Sequence, residues 1–360
     1  MRAGGAGECH CPRGSRQSMP YRNIMLSQYN LQRTGTRAGN RNGHQRREMV
    51  LCVLLLAGSA YAQSNSTSVT EPVLGLVFDA GTQTVRPLMG IPAASQLGGT
   101  LGGTPLGGVA ISSEQAYAVA LEAGTGAALL VSQAGRQPLT GVRAGAQLAA
   151  VSQLGTAAAV YFADTGKASI LTGLPDAPQI LREVTLDGAP LLLAVSDDGT
   201  TLAAVVSLSA NQATVFSYSA DGAGQALLSD RLFPSLEFVP GATTLLMATQ
   251  SAVYLYQSRQ GLQLLTDQRD GIANVVGAAA SGDGTRVFIA MQTGQVAVRN
   301  LAASTQTVLS CACQPAGISR LRGKAVFRLN ELGAGPLWVV DGDATVPRIL
   351  FIAMPVGGSL

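Results

Sequence analysis

"AVSDDGTTLAAVV", residues 194–206, sets a Ser, then Asp-Gly, then a short apolar run, and this order suits either an active-site loop or a tight turn. The rest of the chain decides between them, because the pattern returns. "AISSEQAYAVA" at 110, "AVSQLGTAAAV" at 150, "FVPGATTLLM" at 238, "AASGDGTRVFI" at 279 and "ISRLRGKAVFR" at 318 share its plan. Their turn positions, Gln115, Gly155, Gly199, Gly241, Gly284 and Gly323, are spaced 40, 44, 42, 43 and 39 residues apart. Asp-Gly gives positive φ in a two-residue hairpin at little steric cost, so the pair needs no chemical role.

Each motif precedes a second hairpin: "LLVSQAGRQPL", "SILTGLPDAPQIL", "FSYSADGAGQALL", "YLYQSRQGLQLL", "VAVRNLAASTQTVL" and "LWVVDGDATVPRILFI". One unit is then four antiparallel strands in about 42 residues, the pattern of a propeller blade. The expected fold is all-β: a β-propeller of four-stranded antiparallel blades filling residues 72–355. Alanine and glycine in the first two strands of each unit fit crowding near the axis. Residues 73–91, "VLGLVFDAGTQTVRPLMGI", resemble a further second hairpin, giving seven of these against six first hairpins. Seven blades with an incomplete or rearranged closing blade are expected, with six blades and an extra hairpin as the alternative.

The Ser-x-Asp-Gly turns of "SDDGTTLA" and "SGDGTRVF" resemble those of TolB-like and YVTN-type bacterial propellers, whose repeats carry Ser-Pro-Asp-Gly; Asp197 and Gly282 stand where the Pro would be. The resemblance implies a propeller over most of the chain, and some YVTN-type relatives are lactonases. The Trp-Asp ending of WD repeats is absent. A sialidase Asp-box is excluded, since its Gly lies four residues after the Ser, whereas Gly199 and Gly284 lie three after.

Residues 1–62 carry 9 Arg against 2 Glu, and residues 63–360 carry 15 Lys plus Arg against 19 acids, so the basic character belongs to the leader. Arginines at 33, 37, 41, 46 and 47 run into the apolar "MVLCVLLLAGSA", 49–60, and then Ala60-Tyr61-Ala62 before Gln63. These are the three parts of a secretory signal peptide with cleavage between Ala62 and Gln63, and 12 apolar residues fall short of the roughly 20 that span a bilayer. The stretch before Met25 has no apolar period and reads as an overextended start. Residues 63–71 make a polar lead-in, and Asn65-Ser66-Thr67 fits a glycosylation acceptor that a bacterial cell would leave unused. The expected product is exported, periplasmic or extracellular, and monomeric. With Lys167 and Lys324 its only lysines, residues 63–360 offer no basic patch for nucleic acid.

The two histidines, His10 and His44, lie in the leader. A Ser-His-Asp or Cys-His nucleophile and His-based zinc or haem sites are therefore not expected, and no cofactor is. Cys311 and Cys313 are the cysteines after the leader; export favours a local disulfide, yet residues two apart on one strand cannot bridge without a turn, so two free thiols stay open. Asp197 with Asp198, or Asp341 with Asp343, could serve hydrolysis or calcium, but turn roles account for both pairs. "LGGTLGGTPLGG", 97–108, has no Gly-Lys-Ser/Thr ending and reads as a flexible link. Trp338 reads as packing or a ligand platform; Arg320, Arg322 and Arg328 read as an anion site or plain surface charge. The expected function is a non-catalytic scaffold for an unknown protein or small extracellular ligand. A carboxylate-dependent hydrolase or lyase at the channel mouth, acting on sugars or lactones, is the alternative.

Overall fold

The computed structural model describes residues 71–333 and 335–354. The leader, the Ala62–Gln63 site, most of the polar lead-in and the last residue of the 72–355 span lie outside the described residues. Seven antiparallel sheets follow one another, at residues 73–97, 106–138, 148–185, 190–230, 235–267, 275–310 and 319–352. Among the described residues the one helix is a short 3-10 turn, Gln268–Asp270, and none is long and apolar enough to cross a membrane.

Strand position explains strand composition. The second strands, such as Tyr117–Glu122 and Ala157–Phe162, have neighbouring blades on both faces and read as unbroken apolar runs. Outer strands such as Gln179–Thr185 and Gln306–Ser310 are mostly exposed and polar, which discourages edge-to-edge pairing. An apolar cluster fills each blade interface. Tyr117, Val119 and Leu121 of the second blade meet Ala158, Val160 and Phe162 of the third. Phe288 of the sixth packs on Phe327 of the seventh with ring centroids 4.8 Å apart. The ring closes in the same way: Leu74, Val77 and Leu88 of the first blade pack against Leu321, Val326 and Val339 of the seventh.

The first sheet has three strands, Val73–Asp79, Thr84–Ile91 and Ala94–Leu97, while the other six have four. Leu106 N–H donates to the carbonyl of Gln83 (φ 51°), just as Ala146 donates to Gly126 and Leu186 to Gly166 (φ 62° and 66°). Those glycines sit between the second and third strands of their blades, so residues 73–91 are a second and third strand, one place further inward than the expected outer hairpin. Among the described residues the first blade has no inner strand. Seven blades with six first hairpins follow directly.

Neighbouring turns cover the open inner edge of Val73–Asp79. Leu76 N–H donates to Oε1 of Gln115 at 2.8 Å, and the Leu74 carbonyl accepts from Arg322 N–H at 2.7 Å. Gln115 Nε2 donates to the Arg320 carbonyl at 2.8 Å, so one buried side chain ties the first, second and seventh blades. The approach is close enough that a Cβ on Gly75 would lie 2.8 Å from Cδ2 of Leu321 and 2.9 Å from Oε1 of Gln115.

Candidate functional site

The six turns between inner and second strands share one backbone frame. N–H groups of Ser112, Ser152, Ser196, Val239, Ser281 and Leu321 donate to the carbonyl five residues on, at 2.8 to 2.9 Å in every copy. In that frame the fourth position is Gln115, Gly155, Gly199, Ala242, Gly284 and Lys324. The sequence alignment through Gly241 and Gly323 is therefore one residue early in the fifth and seventh blades. Glycine draws the alignment because it marks positive φ, and in the fifth blade the left-handed residue (Gly241, φ 67°) sits one place sooner.

The Asp of the Ser-x-Asp-Gly turn serves the turn itself. Asp198 Oδ1 accepts from Ser196 Oγ at 2.6 Å, Thr200 N–H at 3.0 Å and Thr200 Oγ at 2.8 Å. Asp283 repeats the set with Ser281 and Thr285 at 2.5, 3.1 and 2.7 Å. Burial opposes ionisation of Asp198, but these donors prevail and lower its pKa. Hydrogen bonding from Ser281 leads in pulling Asp283 down to about 2. Asp197 reaches sideways, accepting from Leu154 N–H at 2.6 Å and Gly241 N–H at 2.8 Å, and so links the third, fourth and fifth blades.

Two residues break the pattern just before the turn. Two places before its first residue stand Ala110, Ala150, Ala194, Glu237, Ala279 and Ser319; one place before stand Ile111, Val151, Val195, Phe238, Ala280 and Arg320. Glu237 and Arg320 face the axis and grip Ala280 between them. Ala280 N–H donates to Glu237 Oε1 at 2.6 Å, and the Ala280 carbonyl accepts from Nη2 of Arg320. Glu237 Oε2 also accepts from Gln153 Nε2 at 3.1 Å, and Gln153 Oε1 accepts from Ser113 Oγ at 2.8 Å. With the bridges of Asp197 and Gln115, this circuit touches all seven blades.

Glu237 is half-buried, and burial pushes its carboxyl up to about 7 against the opposing pull of the Arg320 charge and its donors. Burial also lowers the Arg320 pKa. The guanidinium lies 5.3 Å from the Phe327 ring centroid, with its Nε unpaired. Above the circuit opens a cavity of about 270 Å³ whose walls include Ser113, Glu114, Gln153, Leu154, Asp283 and Arg320, drawn from the second, third, sixth and seventh blades.

The other sequence candidates do not converge. Arg322 is exposed, whereas Arg328 is buried and pairs with Glu331, so the three arginines form no cluster. Asp341 pairs with Arg348 at 3.0 Å, and Asp343 accepts from Lys324 N–H at 2.8 Å. Trp338 tilts against Phe351 at 5.9 Å, a packing role. The 97–108 stretch is pinned to the first blade through Gly98 and Leu101 N–H groups, which donate to Pro87 and Val85. Cys311 and Cys313 are joined by a disulfide, Cα atoms 5.1 Å apart, where the chain bends at Ala312 and Cys313. Glu237 escapes the sequence reading because the fifth motif, aligned on Gly241, begins at Phe238. In the hydrogen-bond frame it is the one carboxylate in a column otherwise of Ala and Ser.

No protein-family model matches the chain, and no curated protein does. Among solved structures, a protein from Lactobacillus plantarum is similar at 15% identity with a TM-score of 0.52, covering 79% of this chain and 96% of that one. A functionally unknown protein from Desulfotomaculum acetoxidans is similar at 13% identity and TM-score 0.54, covering 79% of this chain and 100% of its own. At these identities the likeness concerns the fold.

Proposed function

We propose that this chain is an exported, monomeric, non-catalytic propeller of the TolB-like or YVTN-type kind that binds a small extracellular ligand or a protein partner on the face carrying the inner turns. The observation that carries the reading is a constant frame with variable contents. Six turns keep the same backbone closure while the residues they present differ, and five of the turns, all but the fourth blade's, wall the 270 Å³ axial cavity. Polar groups converging on a concave site give orientation and specificity to a ligand. The excess of acids over bases in residues 63–360 disfavours nucleic acid as the partner.

Affinity capture with the exported protein, compared with a Leu154→Arg variant that fills the mouth, tests this. A ligand or partner retained by the wild type and lost by the variant is the expected outcome. Equal retention by both, or nothing recovered across conditions, overturns the reading. Export has its own check: N-terminal sequencing of the secreted protein begins at Gln63, and an intact leader refutes it.

The raised pKa of Glu237 favours a second reading, an acid for sugar or lactone cleavage. Against it, both oxygens of Glu237 already accept hydrogen bonds. Turnover of lactone or glycoside substrates that disappears in Glu237→Gln would support it.

A further inference from the structure

The axial circuit contains one side chain whose direction is a choice. Gln153 can present its oxygen or its nitrogen to either neighbour, and the network around it sets the orientation. As found, its Nε2 donates to Glu237 Oε2 at 3.1 Å and its Oε1 accepts from Ser113 Oγ at 2.8 Å. The first bond suits an ionised Glu237, which accepts and has nothing to donate, and the amide orientation it sets turns Oε1 toward Ser113. Ser113 then spends its hydrogen on Gln153 and offers lone pairs to the cavity that both residues line.

We propose that Glu237, Gln153 and Ser113 form a proton-operated switch beneath the axial mouth, in which protonation of Glu237 reverses the Gln153 amide and turns Ser113 from an acceptor toward the cavity into a donor. One proton from solvent adds to Glu237 Oε2. Gln153 rotates its terminal amide by half a turn, so that Oε1 accepts the new O–H and Nε2 donates to Ser113 Oγ. The Ser113 hydrogen is thereby freed for the cavity. Ala280 N–H stays on Glu237 Oε1 throughout.

The surroundings keep this equilibrium within reach. Burial pushes the Glu237 carboxyl to about 7 and Arg320 of the seventh blade opposes it, while Glu114, Asp283 and Asp343 stand around Arg320 and temper its charge. Asp197 of the fourth blade is engaged by Leu154 and Gly241, and Lys324 lies at the cavity rim. The third blade supplies a neutral partner in Gln153. The switch rests on this circuit and does not require that the mouth hold a ligand.

The test is the side-chain amide signal of Gln153 in the ¹⁵N-labelled protein, assigned by its loss in Gln153→Leu. In the wild type it moves with a midpoint near pH 7. Glu237→Gln keeps an oxygen for Ala280 N–H and supplies a donor for Gln153 Oε1, so there the signal stays at its low-pH position throughout. The wild-type folding equilibrium constant rises by up to about tenfold per pH unit as pH falls from 7 toward 4.5, and the variant loses this dependence. A Gln153 signal that stays fixed between roughly pH 5 and 8 in the wild type, or that titrates alike in Glu237→Gln, overturns the switch.

Discussion

A single position shows how repetition and exception carry different information. Asp198 recurs as Asp283 and does the same work in each turn, accepting three hydrogen bonds from its own loop. Asp198→Ala is expected to cost about 1 to 2 kcal/mol in urea unfolding, with the fold unchanged. Loss of binding without loss of stability in that variant would show that the side chain has a role beyond the turn. Gly75 is different, since its Cα–H faces Leu321 and Gln115 at distances that admit no methyl group. Gly75→Ala should destabilise by about 1 to 3 kcal/mol through overpacking, also read by urea unfolding. Asp198 was legible as a turn residue from spacing alone. Gly75 was not, because nothing local to residue 75 reveals that residues 115 and 321 will lie against it.

Strands tell a similar story one level up. Their number and order came from the alternation of apolar runs with Gly, Asp and Pro, since a strand buried on both faces must be apolar and a turn must bend. Residues 73–91 lie one place further inward in their blade than the sequence pattern predicts, because a hairpin around "DAGTQT" has the same local pattern whether it forms the second and third strands or the third and outer ones. Only its neighbours distinguish the two. Gln115 caps the edge of Val73–Asp79, so Gln115→Leu leaves the Leu76 N–H without its acceptor. We expect a loss of about 1 to 3 kcal/mol and faster amide exchange at Leu76 than at the second strands of other blades. Unchanged exchange at Leu76 would mean that another group caps that edge.

Across the whole ring, Glu237 and Asp283 pull stability in opposite directions with pH, and other lowered carboxylates such as Asp79 and Asp198 act with Asp283. Glu237 has a folded pKa raised to about 7 from 4.5, so its contribution is full below 4.5 and is lost as pH rises through 7. Asp283 is lowered to about 2 from 3.8, so its contribution is full above 3.8 and is lost as pH falls through 2. Maximum stability is therefore expected in the mildly acidic range between these windows, and urea midpoints measured across pH will locate it. In Glu237→Gln the decline on the neutral side should flatten while the acid limb stays. An optimum above pH 8 in the wild type would contradict the assignment.

The sequence by itself determined the propeller, because a repeat of about 42 residues forces each unit into one local structure whose apolar faces must be covered by copies of itself, while the choice of seven blades over six came from the structure. It also excluded histidine chemistry after the leader by composition alone. Tertiary structure decided how the ring closes and where its polar groups meet. Among the described residues the seventh and first blades are joined by packing, by Gln115 and by the Arg322 N–H on the Leu74 carbonyl, with no added inner strand, and Ser113, Gln153, Glu237, Ala280 and Arg320 become neighbours only around the axis. Bonded neighbours among those residues are 40 to 84 positions apart, with intervals fixed by blade length. A turn constrains its own residues through short-range backbone geometry. A channel gathers one side chain from each of several turns, and their mutual distance exists only once the ring has closed.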